Sequence, residues 1–142
     1  MGSYLNPGSS IFKMELNSQI YIDKSRLIEA TNKSMNTMQR FVCVSRRRRF
    51  GKSMAADMLA SYYGRNENTE ELFGQLKISK CSTYKKHLNQ YDVIKVNMQE
   101  FLSRSSNVKE LLERVEGKVI RELKKQYPDV ELYDENDLAE TM

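Results

Sequence analysis

Residues 45–53 read SRRRRFGKS, and within them Gly51, Lys52 and Ser53 have the types and the order needed to hold a polyphosphate. A glycine permits a tight turn that aims backbone N–H groups at phosphate oxygens. A lysine reaches the β- and γ-phosphates, and a serine hydroxyl at the head of a helix coordinates Mg²⁺ where the helix dipole favours anions. The Walker A pattern has a glycine where this chain has Arg46. Arg46, Arg47, Arg48, Arg49 and Lys52 put five cations into seven residues. Each like-charge pair about 8 Å apart in water costs about 0.5 kcal/mol, which a bound polyphosphate would relieve. Guanidinium forks also match phosphate geometry. The competing chemistry for such a run is nucleic-acid contact by a non-enzymatic module using Arg46–Arg49. The formal net charge is +4; the four arginines alone account for it, so the basic excess is local and not spread over a coating surface.

The tripeptide Gly-Lys-Ser arises by chance in roughly 7% of chains of this length, so its flanks carry the argument. Before it, RFVCVS at 40–45 is a continuous apolar run, the pattern of a strand buried on both faces of a parallel sheet, with Cys43 as a small core residue. After it, KSMAADMLASYYG carries Met54, Ala55, Met58, Leu59 and Tyr62 at helical spacing, with Gly64 just past the end. Upstream, 11–16 forms a short helical turn. QIYID then begins as a strand, with Ile20 and Ile22 on one face and Tyr21 on the other, and turns helical from Ser25 with Leu27 and Ile28 buried. Downstream, 69–76 predicts a helix capped by Asn68 or Thr69 and burying Leu72, Phe73 and Leu76; another short helical segment lies within 82–89. YDVIKVNM at 91–98 predicts a second strand. A long amphipathic helix over 107–127 opens on an Asn107/Glu110 capping box and stops before Pro128. Strands alternating with helices argue for an α/β fold with a parallel sheet. The fold expected is an incomplete P-loop NTPase domain, AAA-like, holding the first two core strands and their flanking helices.

YIDKSRLIEATN, RFVCVSRRRRFGKSMAADMLASYYG and ELFGQLKI together resemble the bacterial AAA-ATPase-like family, over residues 4 to about 100. Members carry a D-K-[TS] segment, then R-P-R-R-F-G-K-S, then an E-L-F-x-x-L-x-I block. The resemblance puts Arg46 in pattern, since the family already has arginine there, while Arg47 departs from the family's proline. It implies ATP and Mg²⁺ as cofactors, with Arg46, Arg48, Arg49, Phe50, Gly51, Lys52, Ser53 and Met54 around the phosphates and Ser53 on the metal. Asp23 and Lys24 carry over as part of a family motif. They are read either as a lid over base or ribose or as a surface turn beginning a helix capped by Ser25. It also implies a C-terminal nuclease-like domain of the PD-(D/E)xK type, and through that domain a nucleic-acid partner.

The organisation expected is the N-terminal portion of one ATPase domain: a lid and helical segment over 1–39, then the start of the P-loop core over 40–142, ending before the acidic strand that Walker-type hydrolysis requires. Glu100, after the second strand, comes too early in the order to be that acid. On this reading the 142 residues alone fold poorly, aggregate through the unpaired edges of their two strands and hydrolyse no ATP. Cys43, Cys81 and the lone His87 make neither a disulfide framework nor a zinc site. Tyr62 and Tyr63 read as one core and one surface aromatic, and Lys85-Lys86-His87 as a solvated helix face. The acidic stretch 129–140 reads as a connector or helix start. The N-terminus has no apolar signal region and no stretch reaches the ~20 apolar residues of a membrane span, which points to the cytoplasm and no membrane partner.

Overall fold

The computed structural model describes residues 2–131. Its centre is helix α3 (Lys52–Tyr63), which follows the arginine-rich loop directly. Met58 and Tyr62 fall on one face, one turn apart, and both are buried. Helix α1 (Ser10–Leu16) lies against α3 and contributes Phe12. Helix α2 (Arg26–Ser34) adds Ile28. Helix α4 (Glu70–Gly74) and the 3₁₀ turn Lys77–Lys80 bring Phe73 and Ile78, and α5 (Tyr84–His87) brings Tyr84. The aromatic rings interlock: Phe12 stacks on Phe73 at 5.1 Å, and Tyr62 meets Phe73 edge-on at 5.3 Å. Each buried side chain of this size contributes about 1.5–3 kcal/mol, so this cluster holds the helices around α3.

The polar groups inside this core are paired. Asn32 donates to the Tyr62 hydroxyl at 3.3 Å and its Oδ1 accepts from the Tyr63 hydroxyl at 2.6 Å. Tyr62 in turn donates to the Tyr84 carbonyl at 2.6 Å. Tyr63 is therefore buried and not a surface aromatic, and His87 is also buried, its ring 2.7 Å from the Tyr91 hydroxyl, while Lys85 and Lys86 face solvent.

Helices α6 (Met98–Leu102) and α7 (Val108–Gln126) form a second packed pair. Asn107 caps α7 by accepting from the Glu110 N–H at 2.9 Å. The reciprocal half of the expected capping box is displaced by one residue, because the Glu110 carboxylate accepts from the Ser106 N–H at 2.9 Å. The Ser106 hydroxyl, the Ser106 N–H and then Arg114, all donating to the carboxylate, hold the Glu110 carboxyl at about 2, well below the usual range. Glu122 of α7 gathers the backbone N–H groups of Ser3, Tyr4 and Leu5 at 2.8–2.9 Å and ties the N-terminal segment to this pair.

The parallel sheet expected from the sequence is absent: among the described residues the fold is helical, with two isolated bridges and no sheet. Residues 41–45 run without any backbone hydrogen bond among the described residues. Phe41 is 84% exposed, Val42 and Val44 about half exposed, and Cys43 is exposed too, so the run is not a two-sided core strand. A strand exists only through its neighbours' donors and acceptors, and none lies beside this one. The second expected strand, 91–98, is used up differently. Tyr91 bridges Gly64 in parallel, Ile94 bridges Leu5 antiparallel, and Asn97 accepts from the Gln99 N–H at 3.1 Å and turns the chain into α6. Ile20 and Ile22 alternate with Tyr21 as expected, but there too no ladder forms and both isoleucines are exposed. The acidic stretch lies largely outside the described residues.

Candidate functional site

Gly51 is the hinge between loop and helix. Its φ of +74° and ψ of 32° lie in the left-handed region that glycine enters at no steric cost. Arg49, at φ +65°, shares that region two residues earlier. The double reversal carries the chain from the extended run into α3, whose first turn has no acidic residue and no side-chain cap. The backbone N–H groups of Lys52, Ser53 and Met54 consequently have no protein acceptor among the described residues, the usual state of a helix N-terminus left open.

Two lysines close on this loop. Lys52 Nζ turns back to donate to the Arg46 carbonyl at 2.5 Å, six residues upstream, and so draws 46–52 into a ring around its own ammonium. Lys24 Nζ, from the D-K-S segment, donates to the Phe50 carbonyl at 2.6 Å. Neither lysine, nor any of Arg46, Arg47, Arg48 and Arg49, has an acidic partner among the described residues. The four arginine side chains are exposed, as is Ser53 on the first turn of α3.

The D-K-S segment is therefore neither a free surface turn nor a helix cap of the ordinary kind. Asp23 accepts from the Ser25 N–H with one carboxylate oxygen and from the Lys77 N–H with the other, both at 2.8 Å. Ser25 stands at the start of α2, yet its hydroxyl accepts from the Ile78 N–H at 3.0 Å and not from its own helix. Burial works against the Asp23 charge, but the bonds from Ser25 and Lys77 outweigh it and hold the carboxyl below its usual range. Asp23 and Ser25 thus fasten the segment to the 3₁₀ turn, and Lys24 between them is delivered to the loop. Three separated sequence blocks, at 23–25, 46–53 and 70–78, meet here.

Beside the loop lies a cavity of about 380 Å³ between α1, residues 20–24 and α3. Phe12, Tyr21, Ile22, Phe50, Met54 and Met58 give it a mostly apolar wall, and Lys24 and Gly51 stand at its border with the loop. Of the expected site residues, Lys24, Arg49, Phe50, Gly51 and Met54 line this space. Asp23 does not; its carboxylate serves the 3₁₀ turn.

One lining residue was not anticipated. Glu15 of α1 lies on the cavity wall, and its Oε2 is buried without a hydrogen-bond partner among the described residues. Burial pushes its carboxyl above the usual range, nearby Asp57 adds to the effect and Lys95 opposes it. Lys95 is itself ion-paired with Asp57 of α3. The same surroundings act on Tyr21, where burial, with Asp23 and Glu15 nearby, lifts the phenol to about 12. Nothing in the sequence marks Glu15, because its place on the wall follows from how α1 packs on α3. Glu100, by contrast, bonds Tyr4 at 3.0 Å and lies 3.5 Å from Lys118, in the α6–α7 pair.

A family model described as a predicted AAA-ATPase matches residues 9–142. No curated protein and no solved structure matches the chain. No group of three or more His, Cys, Asp or Glu side chains that could hold a metal is found among the described residues, and no helix among them is long and apolar enough to cross a membrane.

Proposed function

Because this chain belongs to the AAA-ATPase-like family of predicted AAA-ATPases, we propose that it binds ATP with Mg²⁺ through the loop at 46–53. The observation that carries this reading is the ring closed by Lys52 on the Arg46 carbonyl at the open N-terminus of α3. An ammonium held on a carbonyl, three N–H groups without an acceptor and exposed guanidiniums make a cationic surface with no carboxylate paired to it among the described residues. A polyphosphate supplies the missing acceptors. Lys52 exchanges its carbonyl for the β- and γ-phosphates, and the N–H groups of Lys52, Ser53 and Met54 donate to phosphate oxygens. Arg46, Arg48 and Arg49 neutralise the remaining charge.

The residues present fit a Mg²⁺ that travels with the nucleotide. Ser53 offers a hydroxyl on the first turn of α3, where a metal carried by phosphate and water could take it as a ligand. When bound, the metal would supply positive charge to offset that of the phosphates, with Ser53 as the residue that would hold it; the protein's own part is to orient the triphosphate. Asp23 acts at one remove, by anchoring the turn that presents Lys24 to the Phe50 carbonyl.

Titration of the full chain with MgATP tests the assignment. Lys52→Ala should weaken binding at least tenfold, because hydrogen bonds to charged groups are worth about 1.5–3 kcal/mol, whereas Arg47→Ala should matter far less. Equal affinity of the Lys52→Ala and native chains would overturn it. Protection of the loop by short duplex DNA and not by MgATP would favour the nucleic-acid reading of the arginine run instead.

A further inference from the structure

The loop accounts for a triphosphate but not for the cavity next to it. That cavity is close to the lower size expected of a small-molecule pocket, with largely apolar walls and few polar groups. Ile20, Ile22 and Phe50 on its rim are 84%, 69% and 58% exposed, a large amount of apolar surface to leave in water beside a cationic loop. Among its polar groups, Lys24 is already committed to the Phe50 carbonyl and Arg49 is exposed. Glu15 differs from both: its Oε2 is buried and has no hydrogen-bond partner among the described residues. A buried acceptor without a donor carries a desolvation penalty that a matching ligand removes.

We propose that this cavity takes the base of the nucleotide and that Glu15 reads it, accepting a hydrogen bond from the exocyclic amino group of adenine. The inference rests on the triphosphate reading of the loop and goes beyond it by naming the residue that selects the base. Adenine is flat and apolar on both faces, so the aliphatic and aromatic walls suit it, and its amino group brings the donor that Glu15 lacks. Guanine would bring a carbonyl oxygen as well, which needs a second donor in the cavity. The raised carboxyl of Glu15 agrees with a group that ligand-free protein leaves poorly solvated.

The test is displacement of a fluorescent ATP analogue from the full chain by ATP, GTP, purine riboside triphosphate (adenosine triphosphate without the amino group) and inorganic tripolyphosphate. On the native chain ATP should displace roughly tenfold better than purine riboside triphosphate, the worth of one hydrogen bond to a charged group, and better than GTP. Glu15→Met should bring the ratio of ATP to purine riboside triphosphate close to one without changing displacement by tripolyphosphate. Glu15→Gln, which keeps a carbonyl acceptor, should retain part of the preference. The comparison of nucleotides on the native chain needs no variant to fold. If tripolyphosphate competes but the native chain treats ATP, GTP and purine riboside triphosphate alike, or if Glu15→Met leaves the ratio unchanged, the assignment of Glu15 is overturned while the loop assignment stands. If neither ATP nor tripolyphosphate competes, both are overturned.

Discussion

Replacing Asp23 by alanine should destabilise the protein by about 2 kcal/mol, although Asp23 belongs to no hydrophobic cluster. Its carboxylate accepts two backbone N–H bonds at 2.8 Å, one local, from Ser25, and one from Lys77, 54 positions away. A hydrogen bond to an ionised group is worth about 1.5–3 kcal/mol when shielded. The Lys77 bond is solvent-exposed and water can replace part of it, so the lower end of that range is the better guide for the pair. For a chain of 142 residues, a loss of this size lowers the melting temperature by roughly 6–8 °C. Asp23→Asn keeps one acceptor oxygen and should lose about half as much. Urea denaturation with an unchanged slope is the measurement that isolates the effect. A loss below about 0.5 kcal/mol for Asp23→Ala would refute the fastening role of the D-K-S segment. The pH dependence follows the same bonds. Although burial raises the Asp23 carboxyl, the bonds from Ser25 and Lys77 lower it further, so the folded value lies below the ordinary 3.8. Its contribution is therefore complete above the unfolded value and lost as pH falls through the folded one, and the Asp23→Ala and native chains should converge in stability in that acid range.

Gly51→Ala should cost about 1–2 kcal/mol from left-handed backbone alone, and the added Cβ would sit 3.0 Å from Lys24 Nζ; MgATP affinity should fall along with the melting temperature, and an unchanged affinity would separate the hinge from binding. Phe41→Lys should leave stability within about 0.5 kcal/mol, because the ring is exposed, while it raises the concentration at which the chain begins to aggregate; light scattering that does not change would show that the unpaired run 41–45 is not the source of association.

Much of the local structure could be read from residue types. Met54, Ala55, Met58, Leu59 and Tyr62 at helical spacing give α3, and Asn107 with the stripe behind it gives α7. Gly51 marks the turn into α3 because only glycine takes a φ of +74° freely. These features depend on neighbours along the chain, which a sequence displays directly. The sheet did not depend on neighbours of that kind. The apolar run at 40–45 has the composition of a buried strand, but burial and pairing are supplied by other segments, and none of the described residues supplies them. Tertiary packing also decided what sequence could not rank. It fastened Asp23 to the 3₁₀ turn, set Lys24 on the Phe50 carbonyl, and brought Glu15 from an unmarked helix to the wall of the cavity beside the loop. Spacing along a chain fixes which groups share a helix face, whereas the partner of a charge is fixed only when distant segments come together.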